Sequence, residues 1–159
     1  RGCAVIMAGS DSDKWHIDEI IKSLQNYSIP YDVRICSAHK QPERLMSMVR
    51  EYNEVGGLVA YVAVAGGTDA LSGTLSYHAF GPVISSPPDG LNGSCLSNPP
   101  GSSNAYIERA VNVGRFIAQI YSGINPEIRD LLEKENAEKI SSLEQADAKF
   151  QKYGEIKWL

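Results

Sequence analysis

The chain is 159 residues long, with 43% hydrophobic residues, 21% charged residues and a net charge of −4 at pH 7. That is ordinary globular usage for a single domain over 1–159, and it excludes a disordered or collagen-like chain. Fifteen Lys plus Arg against nineteen Asp plus Glu offer neither nucleic acid nor an anionic membrane an electrostatic reason to bind.

Three cysteines, Cys3, Cys36 and Cys95, are odd in number and far apart. No disulfide framework or structural zinc site is expected, and a reducing compartment fits. No apolar run reaches the ~18 residues of a membrane span. No secretory leader is visible, and the chain starts at Arg1 rather than Met, which leaves room for an upstream segment. A cytoplasmic location is the expectation.

Along the chain, short apolar runs alternate with segments of helical period. Cys3–Met7 is a continuous apolar run, as expected of a strand covered on both faces. Ile17, Ile20, Ile21 and Leu24 then follow the spacing of an amphipathic helix. Tyr31–Cys36 reads as a second strand. Pro42 suits a first helical turn, and Leu45, Met48, Val49 and Tyr52 continue that helix. Gly56-Gly57 ends it, and Leu58–Ala65 is the most strand-like run of all.

A third helix is expected over Ala70–Phe80, a fourth strand over Pro82–Ser86, and a loop over 87–104, rich in Pro, Gly, Ser and Asn. Ser103–Ile107 reads as a fifth strand, and Val113, Phe116, Ile117 and Ile120 as a helical stripe. Asn125-Pro126-Glu127 supplies a capping side chain, a first-turn proline and an acid near the positive helix end. A long helix is therefore expected over 126–152. Its apolar positions are sparse, so a neighbouring subunit is its expected packing partner.

This alternation implies an α/β fold: a parallel sheet with helices on both faces. Ligands then bind outside the carboxyl ends of the strands. Gly9-Ser10-Asp11-Ser12-Asp13 follows the first strand. Read from residues alone it is either a phosphate cradle at a helix start or a loop in which Ser12 or Asp13 caps the helix. Neither G-x-x-x-x-G-K-[ST] nor G-x-G-x-x-G occurs. Asp13 would repel a phosphate and suits ribose hydroxyls better.

Ser37-Ala38-His39-Lys40 follows the second strand and puts an imidazole, the side chain of general acid–base chemistry near neutral pH, at the sheet edge. The alternative is a loop histidine with no task. His16 and His78 are read as structural or solvated. After the third strand, Gly66, Gly67 and Gly73 fall within eight residues, more glycine than close packing alone requires. Ser85-Ser86-Pro87-Pro88 offers a further wall.

These motifs (G-S-D-S-D at 9–13, S-A-H-K at 37–40, A-G-G-T-D-A-L-S-G at 65–73 and P-V-I-S-S-P-P at 82–88) resemble the PurE family. Its members are the aminoimidazole ribonucleotide carboxylases and mutases of purine synthesis. The resemblance implies a flavodoxin-like three-layer fold, an octamer, aminoimidazole ribonucleotide and carbon dioxide as substrates, and no metal or other cofactor. It implies that Gly9, Ser10, Ser12, Asp13 and Ala38 bind the ribonucleotide, and that Ser37 and Lys40 help hold its phosphate end. His39 would move the proton, Gly66 and Gly67 cradle carbon dioxide and the carboxylate, and Ala70, Leu71 and Ser72 line the same wall.

Lys40 and the Ala-Leu-Ser-Gly ending are similar to the direct-carboxylase class. Gly67 and Asp69 depart from its usual arginine and asparagine, and Ala70 stands where the mutase class has a second histidine. Three other readings stay open: a flavodoxin-type electron carrier, a D-x-D phosphatase on Asp11 and Asp13, and a non-catalytic nucleotide-binding paralogue.

Overall fold

The computed structural model describes residues 1–159. Five strands, β1 (Gly2–Ala8), β2 (Tyr31–Ile35), β3 (Leu58–Val64), β4 (Val83–Ser85) and β5 (Ala105–Tyr106), alternate with five helices. The helices are α1 (Lys14–Gln25), α2 (Pro42–Asn53), α3 (Ala70–His78), α4 (Ala110–Tyr121) and α5 (Pro126–Phe150). All strand pairs are parallel and the order across the sheet is β2-β1-β3-β4-β5. This is the flavodoxin-like order, with its topological switch between β1 and β3.

The apolar runs of β1 and β3 follow from burial on both faces. On one face Ala4, Ile6, Ala8, Ala60, Val62 and Val64 pack against α1, α4 and the start of α5. On the other, Val5, Met7, Val59, Tyr61 and Ala63 pack against α2 and α3. Successive side chains point to opposite faces, so each central strand feeds two cores at once.

Helix α1 crosses α4 closely enough that the Gly114 amide donates to the Ser23 hydroxyl at 3.0 Å. At the other end of α4, the Tyr121 hydroxyl lies between the carbonyls of Cys3 and Leu58, and burial pushes it up to about 12. The first turns of α5 join this core through Ile128 and Leu132. Glu135 then ties α5 down, accepting from Tyr27 and from Arg115 at 2.8 Å. Beyond that point Ile140, Leu143 and Phe150 are exposed.

Several boundaries are tighter than the sequence reading. Helix α3 stops at His78, because Ala79 is extended (ψ 140°) and Gly81 has no room for a side chain: a Cβ there would lie 1.7 Å from the Val59 carbonyl oxygen. Strands β4 and β5 are only three and two residues long. Helix α5 ends at Phe150, with Gln151 extended. The 87–104 loop contains a 3-10 turn at Gly93–Cys95, capped by Asn92.

Candidate active site

The loops leaving β1, β2 and β3 enclose a cavity of about 270 Å³ at the carboxyl edge of the sheet. Gly9, Ser10 and Asp13 form one wall, Ser37 to Lys40 a second, and Ala65, Gly66, Thr68, Ala70 and Leu71 a third. It sits at the switch point, where such sheets bind ligands. A larger open groove of about 660 Å³ runs along the flank of α4 past Arg109 and Arg115. Arg115 is committed to Glu135 and Asn136, and none of the strand-end motifs reaches that groove, so the smaller cavity is the candidate site.

On the first wall Ser10 caps a 3-10 turn, Asp11–Asp13, that leads into α1. Its oxygen accepts from the Ser12 amide at 3.2 Å and lies 2.9 Å from the Ser12 hydroxyl. That contact turns Ser12 toward Ser10, and Ser12 does not line the cavity. The Asp13 carboxylate makes no capping bond to α1 and faces the cavity, free for hydroxyl partners.

On the second wall the Ser37 hydroxyl accepts from the Lys40 amide at 3.3 Å, a tight turn that sets His39 and Lys40 side by side. Both side chains are exposed at the rim. His16, by contrast, is buried, its Nε2 at 2.9 Å from the Ser86 carbonyl oxygen and 3.0 Å from its hydroxyl. It ties α1 to the end of β4 and is structural. His78 is exposed at the end of α3.

The third wall divides the glycine loop. Gly66 lines the cavity and Gly67 does not. Gly67 adopts φ +63°, a conformation open to glycine at little cost. Its amide donates to Asp89 Oδ2 at 2.9 Å, and its carbonyl accepts from Asn92 Nδ2 at 2.7 Å. A side chain at Gly66 would meet that same Asp89 carboxylate, with its Cβ at 3.2 Å.

Ser72 is fully buried and, like Gly67 and Ser12, stands outside the cavity lining. Its position on the first turn of α3 turns it inward, under Ala70 and Leu71. Ser85 and Ser86 are fully buried as well, so the expected wall from 85–88 does not form.

The cavity walls therefore offer one lysine, one imidazole and a set of backbone donors. The amides of Ser10, Ser37, Ala38, His39, Gly66 and Thr68 donate to no group of the chain. Unpaired amides on loops around one cavity are the donors from which an anion-binding concavity is built. No cluster of His, Cys, Asp or Glu has the arrangement to hold a metal ion. Thr68 and Ala65 complete the lining, and Asp89, Asn92 and Ser94 brace it from behind. Sequence reasoning assigned none of these five a role: Ala65 and Thr68 lie within the 65–73 motif, and for Asp89, Asn92 and Ser94 the only hint was a turn-rich 87–104 segment of unassigned purpose.

The AIR carboxylase family model matches residues 3–142. A phosphoribosylaminoimidazole carboxylase of Treponema denticola is 35% identical over 88% of this chain and 94% of its own length. An N5-carboxyaminoimidazole ribonucleotide mutase of Pyrococcus abyssi is 36% identical over 81% of this chain and 79% of that protein. The crystal structure of Treponema denticola PurE superposes with a TM-score of 0.90 at 30% identity, covering 95% of this chain and 99% of the other. With the family model spanning most of its length and the same fold beneath it, this chain belongs to the AIR carboxylase (PurE) family.

Proposed function

We propose that the protein is an enzyme of purine biosynthesis that carboxylates carbon 4 of 5-aminoimidazole ribonucleotide, using carbon dioxide directly. The observation that carries this reading is the convergence of three loops on one cavity, with His39 and Lys40 on its rim and unpaired amides around it. The ring amine makes carbon 4 enamine-like. The carbon 4 electron pair attacks carbon dioxide, a carbon–carbon bond forms, and the carbon 4 proton leaves to a base.

Lys40 and the amides at 37–39 hold the phosphate end, which needs converging donors. Asp13 and Ser10 take the ribose hydroxyls, and Gly9 lets the backbone approach. His39 accepts the departing proton. Gly66 and Thr68 face the new carboxylate, with Ala70 and Leu71 lining the wall beside it. Holding both reactants in register contributes ~7–11 kcal/mol of barrier lowering.

A second reading has its own support. The Pyrococcus abyssi relative named as a mutase is as similar as the carboxylase, so the same cavity could rearrange the 5-(carboxyamino) isomer. The deciding assay supplies aminoimidazole ribonucleotide with bicarbonate, or the 5-(carboxyamino) isomer at low bicarbonate, and follows the carbon-carboxylated product. Product from the first alone supports the carboxylase, and product from the second supports the mutase. Product from neither refutes both and leaves a nucleotide-binding paralogue.

The exposed apolar positions Ile140, Leu143 and Phe150 on the outer half of α5 support assembly with further copies, an octamer by family. No helix is long and apolar enough to cross a membrane; the cytoplasmic site of action we propose rests on the purine-biosynthesis reading.

A further inference from the structure

We propose that the Thr68 amide is the donor to the carboxylate of the carboxylated ribonucleotide, and that Asn92 is the positioning residue that aims it. The inference rests on the reading of this cavity as a ribonucleotide site and names the donor within it.

The Gly67 carbonyl and the Thr68 N–H share one peptide plane. In a trans peptide the two groups point in opposite directions, and the chain has no cis bonds. Asn92 Nδ2 holds the Gly67 carbonyl at 2.7 Å, so the Thr68 N–H is turned to the side away from Asn92. That N–H donates to no group of the chain, and Thr68 lines the cavity next to Gly66. A donor on the carbonyl also polarises the peptide, which strengthens the opposite N–H as a donor.

Asn92 is built for this task. It is buried, and its Oδ1 accepts from the Ser94 amide at 3.0 Å and the Ser94 hydroxyl at 2.6 Å. Two donors on Oδ1 leave only one orientation of the amide, with Nδ2 toward Gly67. Ser94 is itself anchored, its oxygen accepting from the Asp69 amide at 2.9 Å. The Asp89 carboxylate fixes the preceding peptide through the Gly67 N–H. The loop is thus clamped from outside the cavity on two successive peptides, and the donor that remains faces in.

Asn92→Asp tests this in the full-length protein. It keeps the oxygen that Ser94 bonds and replaces the donor by an oxygen facing the Gly67 carbonyl. The expected result is a ~10–100-fold loss of turnover, somewhat less than deleting an oxyanion donor outright, with an unchanged Michaelis constant for the uncarboxylated ribonucleotide. By calorimetry, the carboxylated ribonucleotide should bind ~10–100-fold more weakly and the uncarboxylated one as in the wild type. Ser94→Ala, which leaves Asn92 in place but removes a donor to its Oδ1 and the longer 3.3 Å contact of the Ser94 hydroxyl to the same Gly67 carbonyl, should give the same pattern at smaller amplitude and serves if Asn92→Asp fails to fold.

Equal weakening of both ribonucleotides, or of neither, overturns the assignment while leaving the cavity's identity intact. A wild-type protein that binds neither ribonucleotide overturns the reading of the cavity and this inference with it.

Discussion

The Asp69 carboxylate caps α3 by accepting the Ser72 amide proton at 2.8 Å, while its second oxygen and the Ser72 hydroxyl are buried without a well-formed hydrogen bond. Burial pushes the Asp69 carboxyl above its usual range, the Ser72 amide opposing and the Asp89 charge adding to the rise. A carboxyl raised in this way holds its proton more tightly folded than unfolded. Its contribution to stability is full below the ordinary carboxylate range and is lost as pH rises through the raised value. Asp69→Asn keeps the cap, removes the buried charge and offers Nδ2 to the Ser72 hydroxyl. The variant should gain ~1–2 kcal/mol at pH 8, the cost of an unsatisfied buried acceptor, and the gain should vanish near pH ~4. Urea midpoints at the two pH values measure it, and a pH-independent difference would refute the charge argument.

The α1–α4 crossing depends on Gly114. A Cβ there would lie 2.2 Å from the Ser23 carbonyl oxygen, 2.3 Å from its carbon and 2.7 Å from the Leu24 nitrogen. These are backbone atoms of a helix and cannot swing aside as a side chain tip can. Gly114→Ala should cost about 3 kcal/mol, the upper end for overpacking. Gly123→Ala, whose Cβ would meet nothing closer than 3.9 Å, should stay within about 0.5 kcal/mol. Thermal unfolding of the pair checks the contrast, and a tolerated Gly114→Ala would mean the helices can separate freely.

What could be read without coordinates follows from how local each signal is. Val59–Val64 announces a buried strand because both faces are covered, and Ile17, Ile20 and Leu24 announce a helix because one face is. The cavity walls were legible for a related reason: a parallel sheet places every strand's following loop on one edge, so Ser10, His39 and Gly66 had to meet. Ser72 was misplaced because each single-residue step along α3 turns the side chain by about 100°, which takes Ser72 out of the lining that Ala70 and Leu71 share. The brace of Asp89, Asn92 and Ser94 was not legible at all. It joins residues 22 to 27 positions apart, and nothing in a Pro- and Gly-rich loop says which carbonyl it will grasp. Gly67 was visible as a glycine, but its partners were not.

His39 stands on the cavity rim beside the unpaired amides of its own loop, exposed enough to meet a ligand and tied to no other side chain. If it takes the carbon 4 proton, His39→Asn should retain ribonucleotide affinity and lose ~10²–10⁴ in turnover, the usual worth of a general base. Rates in single turnover alongside calorimetric affinity separate the two quantities. Undiminished turnover would remove the imidazole from the reaction.

Lys40 is the only full cation on the cavity walls, and the Asp13 carboxylate lines the opposite one. A phosphate entering this cavity is repelled by Asp13 and attracted by Lys40, so its position is decided by one ammonium and the amides around it. A hydrogen bond to a charged group contributes about 1.5–3 kcal/mol. Lys40→Ala should therefore weaken ribonucleotide binding ~10–100-fold while leaving affinity for the phosphate-free nucleoside unchanged, because that ligand has nothing for the ammonium to hold. Calorimetry with the two ligands makes the comparison. If Lys40→Ala weakens both equally, the lysine serves the loop rather than the phosphate, and the phosphate end of the cavity must be assigned to the Ser10 wall instead.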